Sequence, residues 1–141
     1  LNDIRGEDSL RIFEKAKALQ TFFSEEDRKS FLEAVTRVEN LAAKSELLED
    51  AIDESLMTET EFVLYRSVLS IEDDLGELYG KRKDLEYLEL LATLTEPIHQ
   101  YFDDVMVMAE EEELKINRLK LIQKINTLVQ REFNGKQIVE S

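Results

Sequence analysis

The side chains in this chain with evident chemical capability are a lone histidine, His99, four consecutive glutamates from Glu110 to Glu113, and scattered lysines and arginines. His99 has no serine, cysteine or carboxylate partner at an informative spacing, so it signals no acid–base or nucleophilic chemistry. Four consecutive glutamates at a helix start fan out around the axis and make a poor metal set. They suit the positive end of a helix dipole instead, at ~0.3–1 kcal/mol each at best. The chain contains no cysteine, which excludes disulfides and thiolate zinc sites and fits a reducing cytosol. No glycine-rich phosphate cradle occurs. The sequence therefore offers no catalytic, cofactor or metal site, and the chemistry left to it is binding.

What it could bind depends on charge. The formal net charge is −14, which by itself argues against a polyanionic partner. The charge is unevenly spread, however. From Lys115 to Lys136 there are six basic residues (Lys115, Arg118, Lys120, Lys124, Arg131, Lys136) and one acid, Glu132. Lys81, Arg82 and Lys83 form a second basic group, while acid concentrates between Glu25 and Asp74 and in Glu110 to Glu113. Such strips either hold phosphates or are solvated helix faces.

These side chains must be carried by helices. With 141 residues, 43% hydrophobic and 35% charged, the composition is that of one soluble domain able to bury its own core. The first residue is Leu1, so we expect a piece of a larger or processed protein. One proline and four glycines leave few helix breakers. No apolar run approaches the ~20 residues of a membrane span. Apolar spacing predicts a helix over 9–23, then Ser24 as the N-cap of a helix over 25–44 with Phe31, Leu32, Val35, Val38, Leu41 and Ala42 inward. A short helical turn is expected over 47–52. Thr58 and Glu61 have capping-box spacing, opening a helix with Phe62, Tyr65 and Leu69 inward and an end near Gly76. After a polar connection over 80–83, a helix from Asp84 is broken by Pro97. Further helices are expected over 97–108, with Met106 and Met108 as core filler, and over 111–133. The expected architecture is an all-α antiparallel helical bundle forming a single domain over 1–141.

In the last helix, at ~100° per residue, Leu114, Leu121, Ile122, Ile125, Leu128, Val129 and Phe133 share one face. Arg118 projects into the middle of it, where an unpaired charge would cost several kcal/mol. It is either a structural clamp on a carboxylate, with Asp103 or Asp104 as candidates, or an RNA contact at an open bundle end. Ile116 and Leu119 are read as pointing outward.

The stretch Glu96 to Ile122 also carries a resemblance. It has Pro97, then Phe102 and Asp103, then Val105, Met106, Val107 and Met108, then the acidic turn, then Leu114, Asn117, Arg118 and Leu119. Upstream are Lys15 to Leu19 with Phe22, Arg37-Val38-Glu39-Asn40-Leu41, and Glu61 with Leu64 and Tyr65. Together they resemble the C-terminal anticodon-binding domain of the bacterial glycyl-tRNA synthetase β subunit. That domain is of the DALR type found in arginyl-tRNA synthetase. The signature tetrad Asp-Ala-Leu-Arg corresponds here to Glu112-Glu113-Leu114-Lys115, so only the leucine is kept.

The resemblance implies a non-catalytic domain that recognises the anticodon arm of glycine tRNA. Its parent would be a cytoplasmic glycine–tRNA ligase, with ATP and Mg at the α subunit and the rest of the β subunit as further partners. Residue chemistry and motif position nominate Lys115, Lys120 and Lys124 for phosphate contact, with Lys81, Arg82 and Lys83 behind them. Asn117, Arg118, Arg37 and Asn40 are nominated for base contact, and Tyr101 for a stacking platform. The alternative is a helical protein-interaction module that binds no RNA, dimerising through Ile116 and Leu119 or meeting a basic partner with its acidic faces.

Overall fold

The computed structural model describes residues 2–25, 27–48 and 51–133, with side chains described from Ser9 onward. Among the described residues there are six helices and no strand: α1 (Asn2–Glu25), α2 (Lys29–Ala43), α3 (Glu59–Gly80), α4 (Asp84–Leu91), α5 (Thr95–Asp104) and α6 (Glu112–Gln130). Short 3-10 turns occupy Glu54–Leu56 and Ala92–Leu94. The all-helical expectation holds. α2 packs on α6, α1 on α4, and α3 on α4 and α5. Buried side chains from every helix meet in one core, with Phe22, Phe31, Val38, Leu64, Leu75, Tyr87, Leu88 and Ile125 among its members. At one end Phe22, Phe23, Phe31 and Phe133 cluster in edge-on and tilted pairs, with centroids 5.1 to 6.5 Å apart.

Several boundaries differ from the sequence reading. α1 runs on through Ser24, whose hydroxyl donates to the Thr21 carbonyl rather than capping a new helix. The N-cap of α2 is Arg28, whose side chain does not cap the helix, and the Asp27 carboxylate before it accepts the Lys29 amide at 3.0 Å. The turn expected over 47–52 is not helical at Leu47, Leu48, Ala51 or Ile52, and its centre lies outside the described residues. α3 does not stop at Gly76; it continues to Gly80. There the Lys83 amide donates to the Leu78 carbonyl and the Arg82 amide to Tyr79, with Arg82 in the left-handed region at φ 58°. The break expected at Pro97 comes at Ala92–Leu94, three to five residues early, and Pro97 lies in the first turn of α5, where amides lack intrahelical partners anyway.

α3 is also rotated by one residue from the expectation. Leu64, Val68 and Leu75 are buried, whereas Phe62 is exposed and Tyr65 and Leu69 are half-buried. The buried stripe begins at Glu61, an acid that a purely apolar pattern would not place inside. α5 ends at Asp104, and Val105 is extended (φ −122°, ψ 128°). The side-chain period then changes from helical to alternating, so Val105 and Val107 point inward. Met106 and Met108, expected as core filler, are exposed.

A charged cluster joins α1 to α4 and the end of α6. Arg11 donates to both oxygens of Asp84, at 2.6 and 2.8 Å. Lys15 donates to the Tyr79 hydroxyl and the Arg131 carbonyl. Burial is the largest influence on Asp84 and tends to raise it, but the Arg11 hydrogen bonds, the neighbouring Glu132 and the charges of Arg11 and Lys15 together outweigh it and hold the carboxyl below its ordinary range. Glu132 is 5% exposed. Burial first, then the neighbouring Asp84, pushes it up to about 8.

Candidate nucleic-acid interface

The residues nominated on α6 are largely committed to holding the protein together. The Asn117 side chain accepts the Asp53 amide at 2.8 Å and donates to the Asp53 carbonyl at 2.9 Å. One turn on, the Lys120 ammonium donates to the Ala51 carbonyl at 3.2 Å. A further turn on, Gln123 accepts the Leu48 amide and donates to the Ser45 hydroxyl and the Glu46 carbonyl. Three side chains at i, i+3 and i+6 thus lash the connection between α2 and α3 to α6. Lys124 pairs with Glu72 of α3, and Lys115 with Glu112 at 3.2 Å.

Arg118 resolves as the clamp, with a partner the sequence reading did not name. Its Nε donates to Glu61 at 2.9 Å and its Nη1 to the Met106 carbonyl at 2.7 Å. Glu61 also accepts the Thr58 amide at 2.7 Å, as capping-box spacing requires. Asp104 is used otherwise, by Thr60 and Gln100, and Asp103 is exposed. With Asn117 and Arg118 buried and bonded internally, neither presents an edge to a base. Tyr101 is 0% exposed, so it cannot be a stacking platform. Its place in the core also pushes its hydroxyl above the ordinary range. Leu119 is buried and Ile116 half-buried, so the expected dimerisation pair does not exist as a surface.

The basic turn after α3 stays at the surface. Lys81 pairs with Glu77 at 2.7 Å and Arg82 lies 3.8 Å from Glu14, while Lys83 is exposed.

The second nominated pair, Arg37 and Asn40, is exposed on α2. The Arg37 guanidinium carbon lies 4.2 Å from the centroid of the Phe102 ring. Phe102 is half-buried and is backed in turn by Tyr101 at 5.5 Å. Lys29, Glu33, Arg37, Asn40 and Lys44 are all exposed, at spacings that keep them on one side of the helix. Among the described residues no carboxylate is hydrogen-bonded or ion-paired with Lys29, Arg37 or Lys44. A shallow depression lined by Lys29, Leu32, Glu33, Thr36 and Arg37 runs along this face. His99 of α5 meets the first turn of α2, with its Nε2 2.9 Å from the Ser30 carbonyl. Lys29, Lys44 and the packing of Arg37 on Phe102 escaped the sequence reading. The four-residue spacing of Lys29, Glu33 and Arg37 was the available signal.

Among the described residues no cluster suited to a metal ion occurs, and no helix is long and apolar enough to cross a membrane. The glycine–tRNA ligase β subunit of Oceanobacillus iheyensis is 39% identical over 117 residues, which is 83% of this chain and 17% of that protein. The glycine–tRNA ligase β subunit of Escherichia coli O1:K1 is 35% identical over 116 residues, 81% of this chain and again 17% of the relative. The chain therefore spans about a sixth of the length of these relatives. The sequence pattern of the DALR anticodon binding domain matches residues 31–134. With an all-helical fold and that match over most of its length, the chain belongs to the DALR anticodon-binding domain family.

Proposed function

We propose that this domain grips the anticodon arm of glycine tRNA through the outer face of α2 and the Phe102 ring that backs it, as part of a glycine–tRNA ligase β subunit. One observation carries the choice of face. Among the described residues no carboxylate is bonded to Lys29 or Arg37 of α2, whereas the bases of α6 hold the connection after α2, α3 and the start of α6. The Arg37 guanidinium, held over the Phe102 ring, offers a surface on which an unstacked base can lie, and Asn40 offers a donor and an acceptor one turn away. Lys29 and Lys44 are placed for phosphates at either end, and Lys81, Arg82 and Lys83 form an outlying contact. Lys120 and Lys124 contribute weakly, since binding RNA would compete with their internal partners.

In this reading the domain performs no chemistry. The parent enzyme joins glycine to its tRNA in the cytoplasm, with ATP and Mg at an α subunit, and the rest of the β subunit supplies further grip. The relatives named above and the absence of any catalytic constellation in the sequence support it. A low-salt binding titration sets glycine tRNA against the same tRNA with its anticodon bases replaced. Preference for the native anticodon supports the reading. Equal binding of both, by the domain and by the intact β subunit alike, overturns it.

A further inference from the structure

Met106 and Met108 are 72% and 48% exposed on a segment that the rest of the molecule holds firmly. Val105 and Val107 anchor it from inside. The Val105 amide donates to the Tyr101 carbonyl at 2.9 Å. Arg118, itself fixed by Glu61, donates to the Met106 carbonyl at 2.7 Å. Two large, adaptable apolar side chains are thus fixed toward solvent, and little ordering remains to be lost when a partner covers them.

The surroundings set the sign of that partner. Between Asp103 and Glu113 lie six carboxylates and no base, and all six are exposed. Of the four glutamates, Glu112 has Lys115 as an ion-pair partner. RNA phosphates are repelled from such a surface. A second copy would bring the same six charges against their like. We propose that the segment 103–113 is a docking surface for a protein whose lysines and arginines ring an apolar centre, as in a cationic amphipathic helix. The methionines fill the centre of the contact and the carboxylates meet the basic rim. This inference does not rest on the tRNA reading, because RNA on this surface would count against it.

The full chain carries three methionines, and Met57 packs against the core, so methyl-labelled methionine reports the site directly. The probe is a helical peptide of leucine and lysine, with a leucine–glutamate peptide as control. The expected result is that the Met106 and Met108 resonances shift with the basic peptide while Met57 does not move. Met106→Gln with Met108→Gln should weaken the basic peptide by about tenfold and leave the melting temperature unchanged. Four results overturn the proposal. They are no binding, undiminished binding by the double variant, equal binding of the acidic peptide, and Met106 or Met108 shifts driven by protein concentration or an anticodon stem-loop instead.

Discussion

Arg118 of α6 and Glu61 of α3 meet at 2.9 Å with side chains only 10% and 2% exposed, so two helices are joined by an ion pair sealed from water. Such a pair is costly to break from one side, because the remaining charge stays buried without its partner. Arg118→Met alone should therefore destabilise the domain by roughly 3–5 kcal/mol. Adding Glu61→Leu should restore much of that loss, because both charges are then gone. Urea denaturation of the two single variants and the double variant measures this. A single variant as stable as the parent would show that the pair does not clamp.

Glu132 gives the domain a pH dependence of definite sign. Its folded value, about 8, lies above its ordinary 4.5, so the folded state holds the proton more tightly than the unfolded chain. That contribution is complete below the ordinary value and is lost as pH rises through about 8. Asp84 runs the other way: its lowered carboxyl favours the fold above its ordinary value of 3.8, and that favour fades in acid. Glu132→Gln should therefore melt higher than the parent at about pH 9, and the two curves should converge near pH 5. Parallel curves would contradict the assignment.

Arg82 occupies a backbone conformation that costs a residue with a Cβ about 1–2 kcal/mol. The chain places its glycine at Gly80 instead, where the backbone is still helical. Arg82→Gly should raise stability by roughly 0.5–1 kcal/mol, because glycine's added freedom when unfolded offsets part of the relief. Its exposed contact with Glu14 at 3.8 Å is too long to oppose this. Thermal melts of the two proteins decide it.

Asn117→Ala removes both partners of the Asp53 backbone at once. The expected loss is about 1–3 kcal/mol. Amide exchange at Asp53 and Leu48 should quicken together, because both are lashed to α6. Exchange confined to Asp53 would mean that the lashings act separately.

On the tRNA reading, Arg37→Ala should reduce discrimination for the native anticodon, and Phe102→Leu should do so less severely. Lys29→Glu with Lys44→Glu should weaken binding to both tRNAs and flatten its salt dependence. Tyr101→Phe should change neither, because the ring never meets solvent. Full discrimination by the Arg37 variant would move the base site elsewhere.

Periodicity made the helices legible, since each helix with a continuous apolar stripe stands out from its sequence. The misplacements have specific causes. α3 was read one residue out of phase because its buried stripe opens with the charged Glu61. Tyr101 and Phe102 are adjacent aromatics, and only packing decides which of them faces the core. Asn117 and Lys120 look like ligand-binding residues, but their partners are backbone groups 64 and 69 residues away, which no local pattern reveals. Arg118 was legible as an anomaly, a charge on an apolar face, although its partner was not.

The alternation of Val105, Met106, Val107 and Met108 makes this stretch intolerant of odd-numbered changes in length. Inserting one residue between Asp104 and Val105, with both flanking helices held, would exchange the two sets of side chains. Thioethers would be forced into spaces shaped for valine, and valines would face water. Removing or adding two residues would preserve the parity. Parity, more than residue identity, is therefore the constraint this stretch imposes on any natural or engineered variant of the domain.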